Sequence, residues 1–267
     1  MEDVIAFLHE LYQKGLGYSA INTARCALST FICLGNITIG SHPLIRRFLK
    51  GVYNLRPSVS RYQETWDVDI VLKYLKSLSP VNCLNLKQLT FKTIMLMLLV
   101  SAKRGQSLHS LDIRNLNIKK HCIVFQITAL HKETRPGTNL KPIEFRSYAP
   151  DKRLCVVHYL KNYLNRVKPI RGNHTQLFLS YQKPYKPISR ATFSRYVKTT
   201  LAMAGIDSNF KPHSTRAAAT SKAFQSDVPL PEILAKAGWS NATTFAKYYK
   251  KPLQLSSDAF QSAVLQH

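Results

Sequence analysis

Acidic residues are what this 267-residue chain has least of: 14 Asp and Glu stand against 38 Lys and Arg. No carboxylate pair has the arrangement that two-metal phosphodiester chemistry needs. There is no G-x-G-x-x-G and no Walker loop, so nothing marks a dinucleotide or nucleoside-triphosphate site. Cysteine is sparse: Cys26, Cys33, Cys83, Cys122 and Cys155 are odd in number, scattered, and lack zinc spacing. A reduced compartment and no structural metal are expected. The longest apolar run, residues 93–102, is too short to cross a bilayer. The opening MEDVIAFLHELYQKG is a charged amphipathic segment and not a signal peptide.

What the chain has in excess is positive charge. A net charge of +24 and a pI near 10.0 exceed what solubility requires and fit a polyanionic partner, nucleic acid before a membrane surface. Hydrophobic content of 45% argues against disorder, and the length allows one or two domains with real cores.

Residues 1–55 read as a helical block. Val4, Ile5, Leu8, Leu11 and Tyr12 form one stripe, and Gly15-Leu16-Gly17 breaks it. A second helix from about Ser19 turns Ile21, Ala24, Leu28, Phe31 and Ile32 inward and Arg25 outward. A third opens at Ser41-His42-Pro43, with Leu44, Ile45, Phe48, Leu49 and Val52 on one side. Its other side carries Arg46, Arg47 and Lys50, a face suited to a phosphate backbone. Residues 56–66, with Arg56, Pro57 and Arg61 and little apolar periodicity, read as a basic linker.

Residues 67–252 form the larger block. A helix begins at Asp67, and a Leu-, Ile- and Met-rich helix over 87–101 ends at Lys103-Arg104-Gly105. Over 121–147 the period changes to two, and HCIVFQITAL and KPIEFRSY flank the turn HKETRPGTNL as a hairpin, with Lys132 where strand meets turn. An amphipathic helix follows over 154–167, then a short strand over 177–180 and the basic, aromatic turn YQKPYKP. Ser189 caps a helix over 190–204 whose outer face carries Arg190, Arg195 and Lys198. Then comes HSTRAAATSKAFQSDVPLPEILAKAGWSNATTFAKYYKKP, residues 213–252. His213 and Arg216 fall one turn apart, Gly238 closes a helix before Trp239, and Tyr248 and Tyr249 precede Pro252.

Taken in order, Arg104, Lys132, His213-x-x-Arg216, Gly238-Trp239 and a tyrosine resemble the catalytic block of tyrosine recombinases, the phage-integrase family. The resemblance covers about residues 85–252. The K-x-x-R-P-G hairpin and the WSNATTFAKYYKKP segment are similar to those of recombinases from DIRS-like and Ngaro-like eukaryotic mobile elements.

The resemblance implies a mainly α fold with a small antiparallel sheet: a helical core-binding domain at 1–55 and a catalytic domain at 67–252, closing on double-stranded DNA as a clamp. It implies site-specific recombination through a covalent 3′-phosphotyrosine, with a free 5′-hydroxyl and neither metal nor small-molecule cofactor. Arg104 and Arg216 would hold the anionic phosphorane, Trp239 would donate to it, Lys132 would protonate the leaving 5′-oxygen, and His213 would complete the catalytic set. Arg135 would touch the DNA backbone or minor groove. Many members carry an acidic residue three positions after the first arginine; here that position is Ser107, with Asp112 further on.

Two tyrosines compete for the nucleophile's place. The spacing of many phage and bacterial members points to Tyr248, the DIRS-like pattern to Tyr249. The closer resemblance makes Tyr249 the expected nucleophile and Tyr248 the alternative, and Tyr248 is then expected to pack inward near Phe245. The apolar stripe in the tail, 253–267, implies a short helix docking on a neighbouring protomer or in cis, and the former fits a homo-tetramer on two DNA sites. The place of action would be the nucleus for a eukaryotic mobile element, otherwise intracellular DNA, with no membrane partner. Two other readings share the scaffold: a domesticated, non-cleaving DNA-binding protein, and a type IB topoisomerase.

Overall fold

A computed structural model describes residues 1–57, 62–128 and 141–252. Arg61, the hairpin residues Lys132 and Arg135, and the tail 253–267 lie outside the described residues. The chain divides into two compact units, Met1–Tyr62 and Gln63–His267.

The first unit comprises α1 (Glu2–Gln13), α2 (Tyr18–Phe31), the two-residue strands β1 (Cys33–Leu34) and β2 (Ile37–Thr38), and α3 (Pro43–Leu55). Its core joins the three helical stripes through Leu8, Ile21, Ile45, Leu49 and Val52. Pro43 starts α3 where no intrahelical N–H is needed, and His42 Nδ1 accepts from Leu44 N at 3.3 Å. Arg46, Arg47 and Lys50 are exposed along α3.

Three expectations for this unit need correction. Phe31 is 86% exposed and Leu44 50%, because each sits at a helix end, outside the span where a facing helix covers the stripe. Arg25, expected to point outward, donates to Gly40 O at 2.8 Å and to Asn22 Oδ1 at 3.0 Å. Arg56 likewise donates to Tyr12 O at 2.6 Å with its guanidinium 3.8 Å from the Tyr12 ring. Both guanidiniums are engaged within the unit, because carbonyls at a turn and a helix end need donors.

The second unit comprises α4 (Val68–Ser77), α5 (Leu86–Ser101), α6 (Gly105–His109), β3 (Leu116–Ile118), β4 (Cys122–Phe125), β5 (Ile143–Arg146), α7 (Val156–Val167), α8 (Arg190–Met203), α9 (Ser214–Gln225), α10 (Leu230–Ala237) and α11 (Ala242–Tyr248). Helix α5 is its axis. An Asn85–Gln88 capping box starts it, and Leu89, Ile94, Met95, Leu96, Met97 and Leu98 are all buried. It packs against α7, α8 and α9, which explains why its sequence is apolar around most of the helix.

Strands β3, β4 and β5 form one antiparallel sheet, with Leu116 opposite Phe125 and Val124 opposite Glu144. Strand β3 has no counterpart in the period-two reading, since three residues are too few to show alternation. Residues 177–180 are not a strand: only isolated bridges form here, Asp112 to Gln176 and Leu179 to Pro187, because each neighbouring segment pairs with it over too short a span, Leu177 N donating to Leu111 O at 2.8 Å and Ser180 N to Lys186 O at 2.8 Å. A mainly helical fold with a small antiparallel sheet is the one observed.

Candidate active site

Local chain geometry delivers each side chain of the site. Helix α5 ends at Ala102 in a left-handed conformation (φ 50°), and the chain turns so that Arg104 becomes the N-cap of α6. His213 is the N-cap of α9, and Arg216 lies in that helix's first turn, 1% exposed. Gly238 closes α10 at φ 73°, where a side chain would be strained, and Trp239 folds back with its backbone N–H donating to Leu234 O at 2.9 Å. Helix α11 is capped by the Asn241 side chain and ends at Tyr248. Tyr249 therefore stands one residue past the helix, at φ −126°.

That last step decides where the two phenols go. Tyr249 Oη lies 3.0 Å from His213 Nε2. The Tyr249 ring packs on Trp239, centroids 4.4 Å apart, and the Arg216 guanidinium lies 4.4 Å from the Trp239 ring and 5.4 Å from that of Tyr249. Arg216 Nη2 donates to Ala237 O at 2.6 Å, and Ser221 Oγ donates to Tyr249 O at 2.6 Å, so α9 holds both ends of the cluster. Trp239 is 8% exposed, and its indole N–H has no hydrogen-bond partner among the described residues. An unpaired buried donor costs about 1–3 kcal/mol.

Beside the cluster opens a cavity of about 280 Å³, lined by Lys103, Arg104, His109, Arg190, His213 and Arg216 among others. No carboxylate is among its described lining residues. Guanidiniums that line one cavity make a site for an anion with several oxygens, such as a phosphodiester.

The phage integrase family matches residues 71–254, the greater part of the chain. The chain belongs to the phage integrase family. Among solved structures it is similar to XerH site-specific recombinase bound to palindromic difH substrate, at 14% identity and TM-score 0.61, covering 90% of this chain and 65% of XerH. The chain thus spans just under two thirds of the XerH length. It is likewise similar to the Tn1549 transposon integrase in complex with transposon right end DNA (15% identity, TM-score 0.61, 98% and 82% coverage). XerA recombinase aligns at 16% identity and TM-score 0.54, covering 98% and 90%. At such identities the likeness is one of fold. No curated protein matches the sequence.

In this phage integrase chain the cavity unites Arg104, His213 and Arg216, and Trp239 and Tyr249 adjoin it through the ring cluster. Lys132 and Arg135 fall outside the described residues. Tyr248 is 53% exposed, and Tyr249 packs against the cluster containing Phe245. That corrects the expectation that the tyrosine away from the phosphate site packs inward, and the reason is that Tyr249 leaves the helix before its ring is placed. Asp112 bonds Arg114, at 2.8 Å, and Thr175, at 2.9 Å. The Arg114 hydrogen bond chiefly holds its carboxyl below the usual range.

Arg190, Arg195 and Lys198 are all exposed on α8, as expected, and of the three Arg190 also lines the cavity. Lys103, Gln106, His109 and Ser194 also reach the cavity, and nothing in their sequence setting marks them.

Proposed function

We propose that the protein is a site-specific DNA recombinase that cleaves and rejoins duplex DNA through a 3′-phosphotyrosine. The observation that carries this is the 3.0 Å approach of Tyr249 Oη to His213 Nε2 beside a cavity lined by Arg104 and Arg216. Tyr249 Oη attacks phosphorus as its proton passes to His213, an Oη–P bond forms, and the P–O5′ bond breaks. The guanidiniums of Arg104 and Arg216 neutralise the equatorial oxygens, and the indole N–H of Trp239 is a donor kept for one of them. Lys132 gives the 5′-oxygen its proton. The reverse sequence, with a new 5′-hydroxyl, rejoins the strand. Because the arginines supply the charge, no step calls on a metal.

Duplex DNA is the partner the +24 charge favours. Exposed Arg46, Arg47, Lys50, Arg195 and Lys198 would track phosphates, as would Arg61 and Arg135. A linker at 56–66, a tail that docks on a neighbouring protomer and a tetramer on two DNA sites complete the reading, since strand exchange needs paired cleavages. The hairpin and Trp239–Pro252 patterns favour an origin in DIRS-like or Ngaro-like elements and hence action in the nucleus.

Trapping on a library of nicked suicide duplexes tests the reading. A detergent-resistant protein–DNA adduct mapping to Tyr249 is expected. Tight duplex binding without any adduct would instead identify a non-cleaving scaffold, and supercoil relaxation without two-site recombination a topoisomerase.

A further inference from the structure

His109 and the carbonyl of Ile188 fasten together two walls of the cavity. His109 closes α6, the helix that Arg104 caps, and Ile188 lies two residues before Arg190, the first residue of α8. His109 Nε2 is 2.7 Å from Ile188 O. Gln176 Nε2 is 3.1 Å from the same oxygen and 3.2 Å from the carbonyl of His109. A carbonyl only accepts, so His109 carries a proton on Nε2, and Gln176 spends its two N–H groups on the two carbonyls. The His109 ring also meets Phe193 edge-on, with centroids 6.0 Å apart. Close by, Gly105 runs so near Phe193 that a Cβ would sit 3.4 Å from its ring.

The clasp has work to do because Arg104 and Arg190 line one cavity and carry like charges. Two guanidiniums on separate helices repel, and long exposed side chains lose rotamer freedom when held. Fixing the backbones from which both spring lowers the cost of bringing them to one anion.

We propose that the His109–Gln176–Ile188 clasp sets Arg190 as a third cleft cation, beside Arg104 and Arg216, aimed at a phosphate of bound duplex. His109 is then a positioning residue and touches no reacting atom. The inference rests on the recombinase reading only in taking duplex DNA as the ligand.

The experiment is a double-mutant cycle on the full chain, with affinity for a nicked duplex of mixed sequence measured across a salt series. Arg190→Ala should weaken binding several-fold and lower the salt slope by about one. His109→Phe should lose as much, the double variant no more than either, and His109→Gln, whose amide can reach the same carbonyl, should recover most of it. Thermal melts of each variant identify loss through unfolding. Gln176→Met carries the same cycle where His109→Phe does not fold.

Additive losses, or an unchanged slope in His109→Phe, overturn the clasp. Covalent trapping on the same samples separates the two ideas. Coupling without any adduct sinks the recombinase reading and leaves the clasp, and an adduct with additive losses does the reverse. No measurable duplex binding by the unaltered chain would sink both.

Discussion

The phenol oxygen of Tyr249 meets Nε2 of His213 at 3.0 Å, across 36 positions of chain. Tyr248, its neighbour, stands half in solvent with the Lys247 ammonium 5.4 Å from its ring. On a nicked suicide substrate, Tyr249→Phe should therefore abolish the covalent adduct while Tyr248→Phe keeps most of it. The reverse pattern would move the nucleophile to Tyr248.

Trp239 offers a way to part packing from chemistry. Its ring stacks on Tyr249 and Arg216, yet its N–H is buried without a partner among the described residues. Trp239→Phe loses some contact area but also removes an unsatisfied donor, so the melting temperature should change little. Adduct formation should fall by about 10²-fold, the usual loss for one donor to a developing oxyanion. Falls in stability and cleavage that track one another across Phe, Leu and Ala substitutions would make Trp239 core only.

Lys132, as the acid, should reveal itself through sulfur. Lys132→Ala is expected to cut cleavage and leave duplex affinity nearly intact. A 5′-bridging phosphorothiolate should restore much of the rate, because a thiolate leaves without a proton. If sulfur brings no rescue, the proton comes from elsewhere.

Trp66 Nε1 donates to Ser214 Oγ at 2.8 Å, with both residues buried, and so ties the segment before α4 to the residue after His213. Ser214→Ala leaves an indole N–H buried and unpaired, a loss of about 1–3 kcal/mol in denaturant unfolding. Trp66→Phe combined with Ser214→Ala should lose less than the sum of the single changes. Strict additivity would mean the bond contributes nothing.

Lys92 is fully buried within α5, donating to Leu78 O at 2.7 Å. Burial, partly countered by Asp151, lowers its pKa from 10.5 to about 7, although the Tyr159 ring face 3.8 Å away favours the charged form. Between those values the unfolded chain binds a proton that the folded chain does not, so this group makes stability rise with pH from about 7 towards 10.5. Lys92→Met should flatten that rise in unfolding free energy measured over the same range. An unchanged slope would show that Lys92 stays charged when folded.

The local elements were legible in the residues because their causes are local. Apolar stripes at helical spacing place Leu8, Ile21 and Leu49 in one core, Gly238 can close α10 because it lacks a Cβ, and the order from Arg104 to the tyrosines marks the phage integrase family. Contacts between distant segments followed no such pattern. Whether Tyr248 or Tyr249 meets His213 depends on α11 ending at Tyr248, which leaves Tyr249 outside the helix. Arg190 is exposed and also lines the cavity, and Arg25 and Arg56 bind carbonyls inside their unit, because facing elements, and not helical period, set their neighbours. Period says which residues share a face. Only packing decides what that face meets, since that choice is made by side chains tens of residues away competing for the same volume and the same hydrogen bonds.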